Sequence, residues 1–209
     1  MSLDRARIVA EAVALLDAEG LENVTLRKLA ARLGVQAPTL YWHLPNKAAL
    51  ITAIAEEILT PLPATPIGDA DRWQDWLIGL ATGLRRALLA HPDGARIISI
   101  AQMSRNMAAL SELAMSTLVA RGMPLHQARV MVLTVERVTI GFALEEQAPP
   151  PDTKDFDLAA YTAAYPTVIA GITEYFKPGR TVDDLFLECV TLVVEGPPVT
   201  GSFPAERVV

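Results

Sequence analysis

Residues 25–47 constrain the chain most: Thr25-Leu-Arg-Lys-Leu-Ala-Ala-Arg-Leu-Gly-Val-Gln-Ala-Pro-Thr-Leu-Tyr-Trp-His-Leu-Pro-Asn-Lys47. Leu26, Leu29, Ala30 and Leu33 recur at helical spacing and make one buried face. Thr25 suits the N-cap of that helix, because its hydroxyl can accept an unpaired backbone N–H. Gly34 ends the helix in a tight turn that Val35 can pack under. Gln36 opens a second helix with Pro38 in its first turn, where no N–H is required. Asn46 then caps a helix over about 47–59, with Leu50, Ile51, Ile54 and Ile58 inward. The pattern is a helix-turn-helix followed by a supporting helix.

The second helix turns Leu40 and Leu44 inward and presents Gln36, Ala37, Thr39, Tyr41, Trp42 and His43. These are donors, acceptors and flat rings, not the Lys/Glu mixture of a solvated face. Between Asn23 and Lys47 the cations Arg27, Lys28, Arg32 and Lys47 stand with no Asp or Glu, although the whole chain carries −6. Duplex DNA demands that combination. Cations neutralise phosphates while the start of a short helix reads base edges in the major groove.

Composition bounds the rest. With 51% apolar residues the chain can bury a sizeable core, and with 20% charged residues it is not a disordered chain. No apolar run reaches the 18–20 residues or so of a membrane span. The start, Asp4, Arg5 and Arg7, lacks a signal-peptide core. Cys189 is the single cysteine, so no intramolecular disulfide is possible, which suits a reducing cytoplasm. Among Leu185, Phe186, Val190 and Val193 it reads as a buried structural thiol.

An opening helix covers 4–20, with Ile8, Ala12, Leu15 and Leu16 as its stripe. Pro61-Leu-Pro-Ala-Thr-Pro66 and Gly68 then break the chain, placing a domain boundary near 60–70. Helices are expected over 71–90, 93–100, 106–121, 124–147, 157–176 and 182–195, with a loose tail after Gly196. The helices over 125–147 and 182–195 are apolar nearly all round and must be covered on all sides. Self-association of two copies into an intermolecular four-helix bundle covers them; central burial in a monomer is the alternative. Two reading helices set by that symmetry would read a palindrome with half-sites about 34–36 Å apart or more.

The run Leu40-Tyr41-x-His43-x-x-x-Lys47-x-x-Leu50 resembles the signature of the TetR family of transcriptional regulators. Arg27-Lys28-Leu29-Ala30 and Pro38-Thr39-Leu40-Tyr41-Trp42-His43 are closer still to its tetracycline-binding members. The likeness extends over about 3–195, through Trp73-Gln74-Asp75, Arg86-Ala-Leu-Leu-Ala-His91-x-Asp93-Gly94-Ala95 and Gly141-x-x-Leu144-Glu145-x-Gln147. The resemblance implies dimerisation through the two apolar helices. It also implies a body that binds a ligand, shifts the helix joining body to head and spreads the reading helices.

By the same resemblance, Arg27 and Lys47 contact phosphates, Arg27 or else a base edge. Thr39, Tyr41 and His43 meet backbone or thymine methyls, with Pro38 and Trp42 packing on the groove. A base-reading Gln of the tetracycline-binding members falls at Ala37, with Gln36 one place earlier, so the operator should differ. The metal-binding His of those members falls at Ile98, and their drug-holding Asn and Phe at Leu80 and Leu84. A Thr near the metal falls at Ala101 and a Gln at Ala114, and only Glu145 stands where a water-holding carboxylate should be. Magnesium prefers an oxygen-rich shell, so no tetracycline–magnesium binding is expected. A more apolar site remains. Leu80, Leu84, Ile98, Met103, Met107, Ala114 and Val132 are its expected walls, and Gln102, Ser111, Arg129 and Glu145 its polar members. Glu136 and Arg137 either pair across the dimer or line that site.

His43, His91 and His126 fall in separate elements, and no phosphate-binding glycine loop or nucleophile elbow is present. The expectation is an all-α protein that is not an enzyme and needs no cofactor or metal. A three-helix helix-turn-helix DNA-binding head occupies 1–60, an effector-binding and dimerisation domain 61–195, and a flexible tail 196–209. It would be a cytoplasmic homodimer that binds double-stranded DNA at a palindromic operator and is released by a small, largely apolar effector. The alternative is a helical ligand-binding or partner-binding protein without specific DNA binding.

Overall fold

The computed structural model describes residues 3–60, 62, 66–68, 70–101, 104–150, 153–154, 156–177 and 179–196. Among these residues the protein is all-α, with eleven α-helices, one 3₁₀ turn and no strand. The head contains α1 (Arg5–Glu19), the 3₁₀ turn Leu21–Asn23, α2 (Leu26–Leu33), α3 (Ala37–Tyr41) and α4 (Lys47–Leu59). Side chains cap three of these helices. Asp4 accepts the Arg7 N–H, Thr25 that of Lys28 and Asn46 that of Ala49. Gly34 takes the left-handed conformation (φ +68°) that ends α2, and the Gly34 and Val35 N–H groups turn back to the Ala31 and Ala30 carbonyls.

The body contains α5 (Trp73–Leu89), α6 (Gly94–Ile100), α7 (Arg105–Ala120), α8 (Leu125–Glu146), α9 (Leu158–Ala164), α10 (Pro166–Tyr175) and α11 (Val182–Glu195). The single helix expected over 157–176 is two, α9 and α10. Pro166 has no N–H to continue the ladder and disfavours helical backbone in the residue before it, and Tyr165 sits at φ −129°, ψ 55°. Ser104 caps α7, which begins at Arg105, one residue before the expected start at 106, by accepting the Met107 N–H. Of the tail, only Gly196 lies within the described residues.

Two apolar cores hold the protein together. The first runs through Ile8, Leu15, Leu29, Leu40, Leu50 and Ile54 of the head and on into Leu84, Leu88, Ile97, Ile98 and Leu110 of the body. α4 therefore belongs to head and body alike, although the proline-rich connector follows it. The second core gathers Leu77 and Ala81 of α5, Ala114 and Leu118 of α7, Val132 and Val135 of α8, and Phe186 and Val190 of α11. Arg85 braces this core from its edge. Only 8% exposed, it binds Glu146 of α8 and Asp183 of α11 and lies 4.8 Å over the Phe186 ring.

A close approach makes the corner between α5 and α6. A Cβ on Gly94 would stand 2.2 Å from the Leu88 carbonyl oxygen, so no other residue fits without moving backbone. Cys189, expected to be buried, is half-buried in the protomer; burial, and then the Glu188 charge, push its thiol pKa up.

Candidate nucleic-acid interface and effector cavity

The reading helix is short because its ends are set locally. Gln36 starts it without a side-chain cap bond, Pro38 sits in the first turn, and the His43 and Leu44 N–H groups close on the Leu40 carbonyl. Leu40 and Leu44 anchor it in the first core. Its other face is open: Trp42 is 90% exposed, Tyr41 51%, and Gln36, Pro38 and Thr39 are exposed beside them. Ala37 and His43 are half-buried. Leaving two large rings in water costs apolar burial, a cost that a groove surface would recover.

The cationic window is narrower than the sequence suggests. Lys28 binds Glu19 at 2.7 Å and Asn23 at 2.6 Å, and Arg32 binds Glu11 at 2.6 Å. Both acids come from α1, outside the acid-free window. The Lys28 ammonium, as the closest donor, holds the Glu19 carboxyl below its ordinary value. Arg27 and Lys47 are exposed and form no ion pair among the described residues, so they remain free for phosphates.

In the body, a small cavity of about 20 Å³ lies between α5, α7 and α8, room for roughly one water. Its lining includes four of the expected wall residues, Leu80, Leu84, Ala114 and Val132. Ser111 is half-buried and does not itself line the cavity, but donates to the carboxylate of Glu136, which does. Other expected members stand elsewhere. Ile98 and Met107 pack in the first core, against the head side of the body. Arg129 and Glu145 are exposed on α8 and do not line the cavity. Gln102 and Met103 lie outside the described residues.

Glu136 is the lining residue that sequence reasoning left undecided. It faces the cavity, while Arg137, next on α8, is exposed. Burial raises the Glu136 carboxyl above its ordinary value of 4.5, against the Ser111 hydroxyl and the charges of Arg129 and Arg137, which lower it. Spacing held one clue: Glu136 lies one helical turn from both Val132 and Thr139, which also line the cavity.

The cavity sits where the two cores meet. Leu84 and Leu110 belong to the first, and Leu77, Ala81, Ala114, Val132 and Val135 to the second. Sequence reasoning also missed how α7 is tied to α4. The Glu56 carboxylate accepts the Arg105 and Asn106 N–H groups at the start of α7, and the Asn106 amide donates back to the Glu56 carbonyl at 2.8 Å. A carboxylate at a helix start satisfies orphan donors and suits the helix dipole. On α1, Asp17 pairs with His91 at 2.8 Å.

Comparison with known proteins agrees with both halves of this architecture. Residues 8–54 match the model of bacterial regulatory proteins of the tetR family, and 63–196 that of the tetracyclin repressor-like C-terminal domain. The chain is 36% identical over 177 residues to the class C tetracycline repressor protein of Escherichia coli, covering 84% of this chain and 80% of that one. A possible TetR family transcriptional regulator from Streptomyces coelicolor A3(2) superposes with a TM-score of 0.80 at 31% identity, over 92% of this chain and 98% of that one. BioQ, solved with its natural double-stranded DNA operator, superposes with a TM-score of 0.64 at 26% identity, over 83% and 99% of the two chains. The chain belongs to the TetR family of bacterial transcriptional regulators.

Proposed function

We propose that the protein is a cytoplasmic, homodimeric repressor that leaves a palindromic operator when a small, largely apolar effector enters the cavity between its cores. Residues 1–60 form the reading head, 61–195 the effector-binding and dimerisation domain, and 196–209 a tail. The observation that carries the reading is the outward face of α3, with two exposed rings, together with the exposed cations Arg27 and Lys47, which form no ion pair among the described residues. Gln36, Thr39, Tyr41 and His43 meet base edges and sugar–phosphate, Ala37, Pro38 and Trp42 pack on the groove, and Arg27 and Lys47 take phosphates. Dimerisation covers the apolar side chains that α8 and α11 leave exposed, among them Val130, Leu187 and Leu192.

Release follows from where the cavity lies. Because the cavity has room for only about one water, an effector must part α7 from α5 and α8, and it binds only a state in which they are parted. Displacing α7 moves its first turn, which Glu56 ties to α4, and α4 carries the head. A drug–magnesium chelate does not fit. Leu80, Leu84 and Ala114 offer no oxygen donor, and among the described residues Glu136 is the one carboxylate of the lining.

Selection of duplexes from a random pool at physiological salt tests this reading. A palindrome should emerge. On that duplex Arg27→Ala and Tyr41→Ala should each weaken binding about tenfold without changing helicity. Enrichment of salt-sensitive background alone would mean the head does not read sequence by itself.

A further inference from the structure

The cavity between α5, α7 and α8 contains a group its walls do not explain. α5 contributes Leu77, Leu80, Ala81 and Leu84, and α7 contributes Leu110 and Ala114, yet α8 turns a carboxylate into the same space. A carboxylate in an apolar site is costly unless paired and hydrogen-bonded. Glu136 has the Ser111 hydroxyl as its hydrogen-bond partner and forms no ion pair among the described residues. The nearby cations, Arg129 and Arg137, are exposed on Glu136's own helix and line no part of the cavity.

On the reading of this cavity as the effector site, we propose that the effector is an apolar molecule carrying one protonated amine, seated with its ammonium on the Glu136 carboxylate. A carboxylate offers about four lone-pair positions, and Ser111 fills one. An ammonium supplies up to three donors and the missing opposite charge. The hydrocarbon of the effector takes the place of the contacts between α7 and its neighbours. A neutral alcohol brings one donor of a kind Ser111 already supplies. An anion meets like charge in a site with no lining cation. Leu80 and Leu84 form part of the apolar seat.

A charge series on one hydrocarbon tests the inference: phenylbutylamine, phenylbutanol and phenylbutyrate, titrated calorimetrically into the full chain at mildly alkaline pH. The amine should bind about tenfold or more tighter than the alcohol, the gain expected of a charge-assisted bond, and the carboxylate should not bind. In Glu136→Gln, folded by circular dichroism, the amine should fall to the level of the alcohol while the alcohol is unchanged. Equal affinity of amine and alcohol for the wild-type chain overturns the amine inference and leaves the cavity reading standing, with no variant needed to show it. So does an amine affinity that Glu136→Gln does not alter. If no member of the series binds, the cavity reading and the inference fall together.

Discussion

The two cores are built from the same kinds of side chain but are closed in different ways. The first, shared by head and body, is closed by shape. Its tightest point is the α5–α6 corner, where Gly94 lies against the Leu88 carbonyl. The second, confined to the body, is braced by charge, with Arg85 joining α5 to α8 and α11 over the Phe186 ring. The difference shows where the molecule can yield. α4 is continuous with the first core, so the proline-rich connector is a boundary in composition and not in mechanics. The cavity lies on the seam, so on the proposed reading a ligand there would push apart the core that holds the head and the core that leaves apolar surface exposed on α8 and α11.

The sharpest way to break this contrast is at the corner. Gly94→Ala places a methyl against backbone, and we expect it to cost about 3 kcal/mol, read from the midpoint of urea unfolding. An unchanged midpoint would mean that α5 and α6 slide freely and that shape does not close the first core. Next comes the brace. Glu146→Ala leaves the buried Arg85 with only the exposed Asp183 as partner and should cost about 2 kcal/mol. Asp183→Ala, at a side chain 81% exposed, should cost less than about 1 kcal/mol. Equal costs would show that burial of the partner does not matter here.

The smallest effect belongs to the seam. The Glu136 carboxyl is raised in the folded protein, so the fold keeps a proton that the unfolded chain releases above its ordinary value of 4.5. The stability this contributes is present at low pH and is lost as pH rises through the folded value. Glu136→Gln has no such loss. The variant should gain on the wild type as pH climbs from 4.5, and the two should run parallel below it. Parallel curves across the whole range would mean that the carboxylate is fully solvated and the seam is wet.

Comparing sequence with structure, the local elements were the most legible. Thr25, Asn46 and Gly34 specify their helix ends through bonds made within a few residues, and those bonds are present. Leu40 and Leu44 announce the inward face of the reading helix, and its outward face follows by default. Pro166, by contrast, marks a break that the pattern masks, because Leu158, Tyr161, Tyr165, Val168 and Ile172 keep a three- and four-residue spacing across it.

By itself, then, the sequence determined the helical class, the helix-turn-helix and the apolar character of α8 and α11, since each rests on periodicity and on side chains that bond to their own backbone neighbourhood. Only the tertiary structure decided which charges are free and which are spent. Lys28 and Arg32 look available until α1 folds back with Glu19 and Glu11. It also decided that Glu136 points into a cavity, that Glu56 ties α4 to α7, and that Ile98 and Met107 pack in the first core. These facts depend on pairs of residues far apart in the chain, and their proximity is set by how whole helices pack, which no local pattern encodes.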